Sequence, residues 1–298
     1  MNRKLSDRKV SSISFTVLSY FFVVFISVFC LIPFVMLISA SFSSETAIAI
    51  EGYGILPKEF TLEAYKMVFK YPATLIRAFG VSIWITAIGT IFGLLITSMT
   101  GFVLSRKDFK YRNLFSFFFF FTTLFNGGLV CTYIFIIRYL HLKNSFLALI
   151  LPIMINVFYL LIMRSFISAI PVSLIESAKI DGASDFKIFF SIVIPLSKAA
   201  LATIGLFIAL GYWNDWYNAM LYISDRDKWP VQYMLYDMLN TAVAQKQLAS
   251  ISKIALQDLP SQSLKMAMSV VVILPTLFIY PFVQKYFVSG ITIGAVKG

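Results

Sequence analysis

Cysteine, histidine and charge are the scarce residues of this 298-residue chain. The two cysteines, Cys30 and Cys131, both sit in apolar runs and form neither a disulfide framework nor a zinc-binding spacing. The single histidine, His141, has no partner at metal-ligand spacing. Charged residues make up 13% of the chain, about half the share usual in a soluble domain, which excludes an ordinary cytosolic enzyme. There is no Gly-x4-Gly-Lys-Ser/Thr phosphate loop, so the chain is not expected to bind ATP by itself. No catalytic triad and no internal repeat are visible.

What the chain has in excess is apolar surface. It is 59% hydrophobic, with 31 Phe, 15 Tyr and 4 Trp and a mean hydropathy of +0.84. That composition excludes disorder and predicts an all-α integral membrane protein. A spanning helix needs about 20 mostly apolar residues, and six stretches qualify: 13–40, 78–105, 113–137, 146–163, 200–223 and 267–284. Residues 1–12 form a basic lead-in, 13–288 the six-helix transmembrane domain and 289–298 a glycine-rich tail too polar to span. The lead-in also resembles the start of a signal peptide, but the apolar run that follows is far longer than the 7–15 residues of a signal core.

The formal charge is +11, which on a membrane protein reflects loops rather than nucleic-acid binding. With the N-terminus inside, the inner segments hold 14 Lys and Arg against five acids, and the outer ones 10 against eight. Both termini are therefore expected in the cytoplasm. The outer segment 224–266 carries Asp225 to Lys228 and Trp229-Pro230, and reads as a polar loop. It serves either as a plain solvated connection or as a surface for an external binding protein.

The inner segment 171–195, between the fourth and fifth spans, is the most informative. Pro171 is a helix-start signal, with Ser173 as candidate cap and Glu176 three residues on, at capping-box spacing. Asp181-Gly182 supplies a turn and a left-handed C-cap. Ser184 can cap a second helix, and Pro195 marks the break before the chain re-enters the membrane. The small residues Ser177, Ala178 and Ala183 permit close approach to another surface. On spacing alone, this is a surface helix–turn–helix that could be only a connector.

The same segment resembles the EAA motif of permease subunits of bacterial ABC importers, E-A-A-x3-G-x9-I-x-L-P. Glu176, Ala178, Gly182, Ile192 and Pro195 match at the right spacing; Ser177 replaces the first Ala and Ile194 the Leu. Trp213-Asn214-Asp215 and the ending Ala295-Val296-Lys297-Gly298 are similar to carbohydrate permeases of the maltose-system MalG type. Phe125-Asn126-Gly127-Gly128 with Thr132-Tyr133 resembles their LplC/YtcP-like branch. The resemblance implies a MetI-like permease fold in the bacterial plasma membrane and an ABC transporter of two permeases, two ATPase subunits and an extracytoplasmic solute-binding lipoprotein. It implies that ATP and Mg are held by the ATPase, with no cofactor on this chain, and that sugars, in particular oligosaccharides, are the cargo. It further implies that the loop 173–186 is a coupling helix docked on the ATPase. Glu176 would make a charge-assisted contact there, Ser177, Ala178 and Ala183 would let the helix seat, and Asp181-Gly182 would form the bend. The tail 289–298 either frays or reaches the ATPase interface.

The fifth span carries Asp215, the only acid expected well inside a membrane helix, where burial costs about 2.5–3.5 kcal/mol on insertion scales. As a continuous helix, it would place Asn214, Asp215 and Asn218 on one face and Trp213, Trp216 and Tyr217 on the other. Such groups can hydrogen-bond and stack on a sugar; equally, they can bond within the bundle and form an interfacial aromatic belt. Phe117 to Phe121 read as lipid-facing or packing surface. Gly89 and Gly93 permit a close helix contact, within the chain or with another subunit. Rival readings are an ABC permease for a non-sugar solute and a self-sufficient secondary carrier; the latter would want ionisable groups in several spans.

Overall fold

The computed structural model describes the backbone of residues 2–125, 127–252 and 262–295, and side chains within 15–125, 127–241, 262–279 and 281. The described residues are mostly helical, with one isolated antiparallel bridge between Ser43 and Phe60. Among the described residues, three helices are long and apolar enough to cross a membrane, or up to six if each of three bent pairs is one span. They form two compact units, residues 1–72 with 238–271 and residues 73–237 with 272–298.

In the first unit, α1 (Asn2–Ser41) contains the apolar stretch Phe15–Ser41. It begins at Asn2, so most of the basic lead-in 1–12 belongs to this helix and is not a separate extension. Two short helices, α2 (Glu45–Glu51) and α3 (Glu63–Val68), follow. Ser44 caps α2 by accepting the Ala47 N–H. The Glu45 carboxylate accepts the N–H groups of Gln262 and Ser263 at 2.8 and 3.0 Å, fastening the start of the last helix.

The second unit is arranged around α4 (Pro72–Ser105), whose buried glycines Gly89, Gly93 and Gly101 follow one another at four and eight residues. A Cβ on Gly89 would lie 2.3 Å from the Tyr212 ring, and one on Gly93 2.9 Å from the Met154 carbonyl oxygen. On Gly101 it would lie 3.1 Å from Met163. Ridge-free backbone lets neighbouring elements approach this closely, so the Gly89–Gly93 pair serves packing inside the chain. Tyr212, seated on Gly89, is buried and donates its hydroxyl to the Ile150 carbonyl at 2.8 Å.

The remaining spans of this unit are broken. The third comprises α5 (Arg112–Leu124) and α6 (Gly128–Ile134), prolonged by a π-helical turn, Phe135–Tyr139. Gly128 has φ +80°, a left-handed conformation suited to glycine, which turns the chain between the two helices. Asn126, singled out with it, lies outside the described residues. No side chain of α5 is buried, and Phe117, Phe118, Phe120 and Phe121 are exposed, as a lipid-facing surface requires.

The fourth span, α7 (Leu147–Ile150) with the 3-10 turn Leu151–Ile153 and then α8 (Val157–Ser168), bends by 55°. Asn156 restarts it by accepting the Phe158 N–H at 2.9 Å. After a short helix, α9 (Val172–Ile180), come α10 (Asp185–Ile188), a π-helical turn Phe189–Val193, and α11 (Ile194–Leu196). An 86° bend then leads into α12 (Lys198–Trp213). The break expected at Pro195 falls at Ser197, whose N–H still reaches the Val193 and Ile194 carbonyls.

The fifth span was expected to run on to 223 but stops at Trp213, and α13 (Tyr217–Tyr222) resumes after a three-residue gap. The presumed polar loop 224–266 contains a 22-residue helix, α14 (Val231–Ser252). Its polar, Gln- and Ala-containing sequence still favours helix. Val231 and Leu235, one turn apart, are buried and anchor its first turns, and the Val231 N–H donates to Ser82 Oγ. Within 224–266, residues 253–261 lie outside the description. The last helix, α15 (Gln262–Ala295), continues through 289–295, so that part of the tail is helical; 296–298 lie outside the described residues.

Candidate functional site

α9 starts directly at Pro171, the N-cap position, with no side-chain cap; the Leu174 N–H bonds the Pro171 carbonyl at 3.2 Å. The capping box expected of Ser173 and Glu176 therefore does not form. The N-cap lies two residues before Ser173, so Ser173 lies inside the first turn and Glu176 one turn further on, neither at a capping position. The Glu176 side chain is exposed and has no ion-pair partner among the described residues.

The C-terminal end forms as expected. The Ala183 N–H bonds the Ala178 carbonyl at 2.9 Å and the Gly182 N–H bonds the Lys179 carbonyl at 3.0 Å. These paired bonds define a Schellman motif with Gly182 at its left-handed position, φ +74°. Asp181 is the C-cap, and the Ser177 carbonyl accepts its N–H. Ser184 then caps α10 through the Lys187 N–H at 3.3 Å. Bond by bond, this is a helix, a closed left-handed bend and a second helix. Ala178 and Ala183 pack against the core, while Glu176, Ser177, Asp181 and Gly182 face outward.

Sequence reasoning missed the groups that hold this bend in place. In the sequence, the segment after α4 enters only the charge count of the inner segments. In the structure, Arg106 pairs with both Asp108 and Asp185, and Lys179 Nζ lies 2.8 Å from Asp108. The order of charges along the sequence contains no signal for these contacts, which are 71 and 79 residues apart.

The second candidate site, 213–218, spans the end of α12, the gap at 214–216 and the start of α13. Because the backbone is not helical there, the two-faced arrangement expected from helical spacing does not exist. Trp213 is buried, with its ring 6.1 Å from that of Phe79. Asp215 accepts the Asn218 N–H at 3.1 Å and its side-chain amide at 2.7 Å, which makes it the residue that restarts the helix. Asn218 itself is buried. Trp216 stacks on Tyr236 at 3.9 Å and meets Tyr217 edge-on at 5.7 Å. Asn214 and Tyr217 remain exposed, with the Asn214 amide donating back to the Leu210 carbonyl. Tyr233, which sequence reasoning missed, and Trp229, read there only as part of the outer segment, extend the aromatic group around the start of α14.

The family model of the binding-protein-dependent transport system inner membrane component matches residues 89–293, from the glycine face of α4 to near the end of α15. Protein LplC of Bacillus subtilis (strain 168) is 42% identical over 270 residues, covering 90% of each chain. The polygalacturonan/rhamnogalacturonan transport system permease protein YtcP of the same organism is 39% identical over 285 residues, covering 95% of this chain and 98% of YtcP. Among solved structures, a bacterial ABC transporter involved in the import of the acidic polysaccharide alginate contains a chain that superposes with a TM-score of 0.78 at 27% identity. That match covers 92% of this chain and 96% of the other. The outward-facing bend after Pro171, the broken spans and the matched length agree: the chain belongs to the family of binding-protein-dependent transport system inner membrane components.

Proposed function

We propose that this chain is a permease subunit of an ATP-driven ABC importer for oligosaccharides, working with a second permease, an ATPase dimer and an external solute-binding protein. One structural observation carries the reading: a Schellman-closed helix exposes Glu176, which has no ion-pair partner among the described residues. Closing the ATPase dimer on ATP would push this docked helix and, through it, the spans behind it. Hydrolysis would let it return. The sugar assignment draws support from the polygalacturonan/rhamnogalacturonan permease name of one relative and from the alginate importer among solved structures. The exposed Tyr217 and Asn214 and the aromatic cluster beside them are suited to stacking and amide contacts with a carbohydrate. Both termini would lie in the cytoplasm, and ATP with Mg would be bound on the separate ATPase.

The test is to tag the chain in its native membrane, solubilise it gently and identify co-purifying proteins. Uptake of oligogalacturonides is then followed in cells carrying wild type or Glu176→Lys. An ATPase and a second permease are expected with wild type, and Glu176→Lys should reduce ATPase recovery and uptake at least tenfold, about 1.4 kcal/mol of docking energy. Recovery of the chain alone, with uptake that persists without ATP, would favour a secondary carrier.

A further inference from the structure

α9 has nine residues and none of them is buried. A helix this short is marginal by itself, so its position must come from the contacts it makes. Ile175 and Ala178 give it a half-buried apolar face against the core. The other contacts are ionic and form an alternating series: Lys179, Asp108, Arg106, Asp185.

Arg106 is central to the series. It follows directly on the last residue of α4, its side chain is only 14% exposed, and its guanidinium lies 5.7 Å over the ring of the buried Phe102. The planar fork meets two carboxylates at once, which a lysine ammonium cannot reproduce. Hydrogen bonds from Arg106 and then Lys179 hold the Asp108 carboxyl well below its usual range. The same bond to Asp108, and a second to Asp185, raise the Arg106 guanidinium above its ordinary value.

Ion pairs this exposed contribute about 0–1 kcal/mol each, too little to be a main source of stability. Their placement is informative. Lys179 precedes the Gly182 bend and Asp185 follows it, so both arms of the bend are tied to one point at the end of α4. The glycine face of α4 in turn seats Tyr212, two residues before the gap at Asn214. We propose that Arg106 and Asp108 are positioning residues that lock the 172–188 bend onto the end of α4, so that a push on α9 reaches α4 as a rigid-body movement. This rests on the ATPase-docking reading of α9.

The test uses the assembled transporter in lipid nanodiscs, with Cys30 and Cys131 replaced by serine. Spin labels are placed at Ser173→Cys on α9 and Lys110→Cys beyond the network, both exposed positions. Distances are measured without nucleotide and with ATP and vanadate. Wild type should show one distance in both states. Arg106→Gln and Lys179→Gln should add a second, longer population with nucleotide, with little change in thermal unfolding. Arg106→Lys should restore the single distance only in part. The proposal is overturned if both glutamine variants keep the wild-type distance in both states, or if the wild-type distance itself changes with nucleotide. Glu176→Lys serves as the separate control: if it retains the ATPase, the docking reading fails, whereas the nucleotide-free distances still report on the lock.

Discussion

Gly89 and Asp215 show how much one position can fix. At Gly89 an added methyl would overlap the Tyr212 ring, which cannot retreat without giving up its bond to the Ile150 carbonyl. Gly89→Ala should therefore cost on the order of 1–3 kcal/mol from overpacking, seen as a lower unfolding midpoint in detergent. Gly80→Ala, where no atom lies within 4 Å, is the control and should be near neutral. The sequence signal at Gly89 was a glycine pair in an apolar run. It could not say whether the neighbour was the same chain, because tertiary contact alone decides that. Asp215 was legible as a costly acid but not as a cap, since only the helix break makes it one. If it acts mainly by restarting α13, Asp215→Asn should hold stability and uptake near wild type, and Asp215→Ala should lose about 1 kcal/mol. A large loss of uptake in Asp215→Asn at unchanged expression would instead place the charge itself in the transport path.

At the scale of elements, the α9 bend could be read from the sequence down to its glycine, because a Schellman turn is local and Gly182 is its conformational requirement. The cap at its start differs for a physical reason: the helix begins at Val172, so Ser173 lies inside its first turn rather than before it. Continuity was the harder property. Spans three to five were located by their apolar content, yet each is interrupted, and hydropathy does not register an interruption that leaves composition unchanged. α14 was missed for the opposite reason, since polarity suggested a loop where buried Val231 and Leu235 hold a helix. Truncating both to alanine should unfasten its first turns. Proteolysis between 231 and 241 should then quicken, while the α9 region keeps its wild-type resistance.

At the scale of the molecule, the apolar, helical character and the membership of a transport family were within reach of the sequence, because each depends on composition or on a short motif. How the segments bear on one another was not. The residues that do this include a glycine under a tyrosine and a four-charge series joining positions some 70 residues apart.

The broken spans have one more consequence. In a continuous membrane helix every interior amide is bonded to a carbonyl one turn back, and none depends on a side chain. Here the Phe158 N–H relies on Asn156 and the Asn218 N–H on Asp215. Those amides are held by groups that can rotate away, so in heavy water they should take up deuterium well before the middle of α4. Isotope would then enter the protein not only from its ends but also at these two places along its length, marking where water can reach.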